Sequence, residues 1–357
     1  MDSSTHAERP PFVETAVARA LQPGRLGQSP VWDVLRSTAQ GGSRLRPRVL
    51  LAAYDDLGGP SPREVRAVAE RVAGAIELLH TAFLAHDDVI DDDHIRHGRP
   101  NVAGTYAATA LRAGTSAKDA HAYGAAAGIL AGDLALATAF REVALCGAHA
   151  SVTAALLDLF DRTMHVTADG ELSDVWLGLD RPGDDADLAV VLAAAERKTA
   201  AYTFELPLRA AALLAGSQDL EVSLSLLGRA LGLAFQLRDD LVGTFGDPAV
   251  TGKSASSDLR EGKRTALVML ARGTPAWERI AGVLGRPDAP KCRLLAGWPG
   301  ALSAALVVPY IASIATYRHL ADADSDRAHA GWRTFLWLNL LTGFLVTQLL
   351  IWIALGR

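Results

Sequence analysis

The sequence predicts an all-α protein, a helical bundle with facing acidic motifs followed by a hydrophobic helical hairpin. Three observations carry this. Half of the 357 residues are apolar and aromatics make up only 6%. The abundant Ala and Leu favour helix, and strand-favouring runs are scarce. Up to about residue 290, apolar and charged residues mix at amphipathic-helix spacing, interrupted by Gly, Pro and Asp, with no convincing strand alternation. Two Asp-Asp clusters each close an apolar helical run, as in helical bundles whose sites are built from side chains on opposed helices.

The formal net charge of −5 argues against a general nucleic-acid binder, which would carry a clear basic excess. Cys146 and Cys292 stand alone and make neither a disulfide framework nor a zinc site, so a reducing cytoplasm is expected. The opening stretch "MDSSTHAERPPFVETA" has no apolar core, and no signal peptide is expected there. Three segments follow: 1–29 as an N-terminal stretch, 30–289 as a helical domain, and 290–357 as a tail of different character.

Taken along the chain, "GGSRLRP" (41–47) places Arg44 and Arg46 after a Gly-Gly turn, and "LGGPSP" (57–62) marks a helix break. The next apolar run ends in "LLHTAFLAHDDVIDDDHIRHGRP" (78–100), which crowds Asp87, Asp88, Asp91, Asp92 and Asp93 together. Like charges one turn apart destabilise a helix, so positive partners are expected. Asp87, Asp88 and Asp91 leave one side of the helix, and Arg96 follows them. "LDRPGDD" (179–185) is another break, and "AERKTAAYTFELP" supplies Lys198 and Thr199. "FQLRDDLVGTFGD" then brings Gln236, Asp239, Asp240 and Asp247, and "TGKSASSDLREGKRTALV" (251–268) brings Lys253, Lys263 and Arg264. Oxygen ligands without His or Cys suit a hard ion such as Mg²⁺. Arg and Lys beside them suit phosphate.

The tail changes the pattern. Leu294 to Tyr317 and Thr334 to Gly356 carry no charged residue. Each is long enough to span a bilayer core of ~30 Å at ~1.5 Å per residue. Trp298, Trp332, Trp337 and Trp352 sit near the run ends, where interfacial aromatics belong. The expectation is a two-span anchor on a cytoplasmic catalytic domain.

From about residue 30 to 288 the chain resembles the isoprenyl diphosphate synthases, the polyprenyl synthetase family, short-chain members in particular. The landmarks are "GGSRLRP", the first Asp-rich stretch, "GDLALATAF" (132–140), "ERKTA" and the second Asp-rich stretch through "GKRTALV". The resemblance implies an all-α isoprenoid-synthase fold of packed helices around a central cavity, commonly dimeric, and head-to-tail condensation of isopentenyl diphosphate with an allylic diphosphate. It implies that Asp87, Asp91 and Asp239 hold Mg²⁺, with Asp88 and Asp240 beside them. Arg96, Lys198, Thr199, Lys253 and Lys263 would bind the allylic diphosphate, and Thr199 and Gln236 would steady the cation or the leaving group. The isopentenyl diphosphate would meet Ser43, Arg46, His80 and His97.

Two of those positions depart from the family: Lys is usual at Ser43 and Arg at His97, so donor binding is expected to be weak unless Arg44 and a protonated His97 compensate. A rival reading is an inactive homologue that binds and regulates an active synthase, and the intact acidic motifs argue against it. A terpene cyclase is opposed by the absence of an Asn/Ser/Glu triad in place of the second Asp-rich motif. Side chains four apart share a helix face, so Leu79, Phe83, Asp87 and Asp91 form one column. Phe83, the first bulky ring below the acids, is the expected chain-length stop, giving a short product with geranylgeranyl diphosphate favoured and farnesyl diphosphate next.

Overall fold

The computed structural model describes residues 11–21, 29–39, 42–60, 63–96, 98–179, 187–245, 262–272, 277–282 and 284–286. His97, Asp247, Lys253 and the 290–357 tail lie outside the described residues. The chain divides into two compact units, 1–160 with 210–218, and 161–209 with 219–357.

The first unit is built on α4 (Arg63–Ile90), accompanied by α1 (Pro11–Ala20), α2 (Pro30–Thr38), α3 (Leu45–Asp56), α5 (Val102–Arg112) and α6 (Ala117–Ala144). Every residue from Val72 to Leu79 is buried. A helix covered all round is a core element, and α6 and α5, α1 and α3 supply the cover. α6 approaches α4 closely because it presents small residues: Ala127, Ala131, Ala135 and Ala139 are buried, and a Cβ on Gly132 would lie 2.2 Å from His86 Nε2. Two helix starts are capped by side chains, Asn101 accepting from the Gly104 amide at 2.8 Å and Ser116 from the Asp119 amide at 3.1 Å. Such caps are worth ~1 kcal/mol each. The described strands are two-residue pieces, β1 (Ile95–Arg96) and β2 (Arg99–Pro100), paired antiparallel with Arg96 opposite Arg99.

The helix α7 (Ala150–Gly178) contributes to both units. In the second unit α8 (Leu188–Ala195) runs directly into a π-helix, Glu196–Glu205, and α9 (Leu206–Ala215) follows, its residues from 210 on belonging to the first unit. α10 (Glu221–Phe245) packs along the π-helix. A Cβ on Gly232 would lie 2.2 Å from the Ala200 Cβ, so only glycine admits this approach. Two short helices, α11 (Ala266–Ala271) and α12 (Trp277–Ala281), complete the described part. Val268, Met269 and Ile280 join Leu177, Val191 and Ala194 in a small apolar core.

Among the described residues, Ala117–Ala144 and Gln218–Asp240 are long and apolar enough to cross a membrane by length and composition. Each packs against helices of its own unit, as core helices of a bundle do.

Candidate functional site

In the first unit the acidic cluster forms where α4 ends. Asp91 lies one residue past the helix, yet its amide still donates to the Asp87 carbonyl at 2.8 Å, so the helical row Leu79, Phe83, Asp87, Asp91 persists. That row passes from interior to surface: Leu79 is fully buried, Phe83 and Asp87 are half-buried, and Asp91 is exposed. Ala82 and Ala85 beside Phe83 are buried. Ala82 joins Leu35, Val102 and Ala131 in one apolar cluster.

Asp88 points elsewhere. Its side chain is 4% exposed and pairs with Arg96 Nη2 at 2.6 Å, and Arg96 Nε donates to the same oxygen at 2.8 Å. Burial pushes the Asp88 carboxyl above its ordinary range, against the pull of Arg96 and with Asp87 adding to the rise. Arg96 Nη2 also lies 3.5 Å from Asp87. Buried Asn101 holds the turn by donating to the Asp93 carbonyl at 2.6 Å. The positive partner expected for the aspartates is thus present as an internal one.

The segment before α3 behaves differently from expectation. Ser43 is exposed, but Arg44 is buried, at φ 52°. Its guanidinium donates to Glu77 at 2.8 Å, to Glu14 at 3.0 Å and to the Ala39 carbonyl at 2.9 Å. Two carboxylates and a carbonyl consume its donors, so the compensation expected from Arg44 at the donor site does not fit this arrangement. Glu77 precedes His80 by three residues, on the same face of α4. His80 and Arg46 are both half-buried.

In the second unit a hydrogen-bonded chain crosses from the π-helix to α10. Thr199 Oγ1 donates to Gln236 Oε1 at 2.7 Å, and Gln236 Nε2 donates to Asp240 Oδ1 at 2.7 Å. Thr199 and Asp240 are buried, and Asp239 is half-buried. Lys198 Nζ donates to Glu171 at 2.9 Å and to Asp174 at 2.8 Å, both on α7. Lys263 is half-buried after Gly262 at φ 72°, and Arg264 reaches the Leu179 carbonyl at 3.5 Å. Long π-helices are rare and recur at functional sites; here one carries both Lys198 and Thr199.

Sequence reasoning missed Asn101, Glu77, Glu171 and Asp174. Only the last pair left a signal, acids three apart on a helix with Lys198 downstream. It also had no account of Gly132 in "GDLALATAF", which makes room for His86, the neighbour of Asp87.

The model of the polyprenyl synthetase family matches residues 30–290. A geranylgeranyl diphosphate synthase of Sulfolobus acidocaldarius is 38% identical over 64% of this chain and 62% of its own length. A geranylfarnesyl diphosphate synthase of Aeropyrum pernix is 34% identical over 69% of this chain and 71% of its own. The chain thus spans 62% and 71% of these two relatives. Among solved structures, a geranylgeranyl pyrophosphate synthase from Corynebacterium glutamicum, complexed with isoprenyl diphosphate and magnesium, superposes with a TM-score of 0.76 at 29% identity. That likeness covers 90% of this chain and 96% of the other. The chain belongs to the polyprenyl synthetase family.

Proposed function

We propose that the protein is a prenyltransferase that condenses isopentenyl diphosphate with an allylic diphosphate to give a short-chain product, geranylgeranyl diphosphate before farnesyl. The observation that carries this reading is the row on α4, from buried Leu79 through half-buried Phe83 to Asp87 and exposed Asp91. A row that turns from apolar interior to open carboxylates suits a molecule with an apolar tail and a charged head. The relatives named for geranylgeranyl and geranylfarnesyl products support the class.

The donor set fits Mg²⁺: Asp87 and Asp91 offer carboxylate oxygens on one helix face, the ligand type a hard ion prefers. Asp87, Asp91 and Asp239 are its proposed ligands. Bound Mg²⁺ would neutralise charge on the departing pyrophosphate. Lys198, Lys263 and Lys253 would add fixed charge to the leaving oxygens, with Lys198 exchanging its carboxylate partners for phosphate. Thr199, whose hydroxyl donates a hydrogen bond to Gln236, and Gln236 itself are proposed to steady the cation or the leaving group with their dipoles. The proton lost on condensation is assigned to the pyrophosphate, and no protein base is required. Exposed Ile129, Leu130 and Leu134 on α6 support a homodimer. The 290–357 tail is assigned as an anchor that keeps a cytoplasmic catalytic domain at a membrane.

The test is incubation of purified protein with Mg²⁺, labelled isopentenyl diphosphate and each allylic primer, followed by identification of products by chain length. Absence of prenyl product with every primer removes the reading.

A further inference from the structure

Beside the aspartate row, three side chains that the proposed chemistry does not use come together. Asp92 Oδ1 lies 3.4 Å from His94 Nε2 and 3.4 Å from His121 Nδ1. The three ligand atoms all fall within 4.8 Å of one another. The two imidazole rings stack at 16° with centroids 5.9 Å apart. We propose that Asp92, His94 and His121 form a second metal site, selective for a zinc-class divalent ion rather than Mg²⁺.

The geometry suits such an ion. A tetrahedral centre with bonds of ~2.0–2.1 Å sets its ligand atoms about 3.3–3.4 Å apart, which is the spacing of both Asp92 contacts. Closing the histidine pair onto the same centre takes only side-chain rotation, because Asp92, His94 and His121 are 70%, 40% and 55% exposed. Two imidazole nitrogens and one carboxylate form a borderline donor set that favours Zn²⁺, Co²⁺ or Ni²⁺, whereas Asp87 and Asp91 offer oxygen alone. Water completes an exposed site with three protein ligands.

The backbone around the site is already held. The His94 carbonyl accepts from the Asn101 amide at 3.1 Å, and Gly104 lies against it so closely that a Cβ there would sit 2.1 Å away. His121 stands in the first turns of α6, whose start is capped by Ser116. An ion at this point would therefore tie the turn that ends α4 to α6, one residue beyond Asp91. The occupied site would stiffen the frame of the aspartate row without sharing its ligands.

Co²⁺ is the probe, because its visible absorption reports nitrogen ligation and Mg²⁺ is silent. The full chain is titrated with Co²⁺ under excess Mg²⁺, alongside His94→Ala, His121→Ala and the double variant Asp87→Asn/Asp91→Asn. The expected result is one Co²⁺ with visible absorption in the parent and in the aspartate variant, and its loss in both histidine variants. Zn²⁺ should also raise the Tm of the parent and leave the histidine variants unmoved, since binding to the folded state alone stabilises it. No Co²⁺ uptake, absorption that persists in the histidine variants, or absorption lost in the aspartate variant would each overturn the site. None of these readouts depends on prenyl transfer.

Discussion

Buried Asp88 and part-buried Arg96 form an ion pair at 2.6 Å one residue away from Asp87, whose side chain is 27% exposed. Adjacent aspartates of one motif thus face different tasks. Asp88→Ala takes from part-buried Arg96 its shorter pairing and leaves it the 3.5 Å approach to Asp87, at a cost of ~1.5–3 kcal/mol for a lost charged hydrogen bond, read as a fall in the denaturation midpoint. Asp87→Ala should change stability little and lower kcat by about two decades, ~2.7 kcal/mol of barrier. If Asp87→Ala turns over normally at saturating Mg²⁺, the metal assignment fails.

The helical class was readable in the sequence because composition and spacing agree along the whole chain, and the acidic motifs stood out because like charges rarely crowd without cause. The partners were less readable. Nothing in "HIRHGRP" told which aspartate Arg96 would choose, since that depends on a two-residue strand pairing of Arg96 with Arg99. Nothing in "GGSRLRP" told that Arg44 would turn inward to Glu77, a residue 33 positions away that looked like part of an apolar helix. The π-helix at Lys198 and Thr199 has no composition signature: it arises where the backbone meets Gly170 and Gly232 at close range.

The second prediction concerns the donor site. With Arg44 held by Glu14 and Glu77, Ser43 leaves a missing cation that no neighbour in "GGSRLRP" replaces through Arg44. Ser43→Lys combined with His97→Arg should lower the KM for isopentenyl diphosphate by about tenfold or more, as a charged hydrogen bond of ~1.5–3 kcal/mol is restored. Steady-state kinetics with the allylic substrate saturating would show it, and an unchanged KM would remove both residues from the donor site. Arg44→Ala, by contrast, should act on stability, leaving buried Glu77 without its guanidinium.

The third prediction follows from the Thr199–Gln236–Asp240 chain. Thr199→Val keeps the shape and removes the hydroxyl, so Gln236 loses one partner and its amide is free to turn. A neutral hydrogen bond contributes ~0.5–1.5 kcal/mol, so kcat should fall by up to roughly tenfold. Thr199→Ser should restore it. Normal activity in Thr199→Val with loss in Thr199→Ser would mean that the methyl group, and not the hydroxyl, is what matters.

The fourth prediction is membrane association through residues 290–357. Two apolar spans hold by buried area and not by charge, so the protein should stay in the membrane pellet through high salt and carbonate. A variant ending at 289 should leave the pellet. Quantitative recovery of the full chain in the soluble fraction without detergent would rule the anchor out.

The last prediction is product length. Leu79, Phe83 and Asp87 succeed one another on one face of α4, each step ~6 Å along the axis at ~1.5 Å per residue. If the diphosphate is held at Asp87 and Asp91, a growing chain that follows the row meets the Phe83 ring one step below and the fully buried Leu79 at the next. Ala82 opens no path past it, because it is packed with Leu35, Val102 and Ala131. Phe83 is half-buried, as a ring at the edge of a substrate path would be, while an ordinary core ring would be covered. Phe83→Ala should therefore release products one or more isoprene units longer at similar turnover, read by chromatography of the dephosphorylated alcohols. A core role gives the opposite pair of results: ~3–5 kcal/mol of lost stability with product length unchanged. A folded, active Phe83→Ala enzyme that makes the parent product would take Phe83 off the path and shift attention to Leu79.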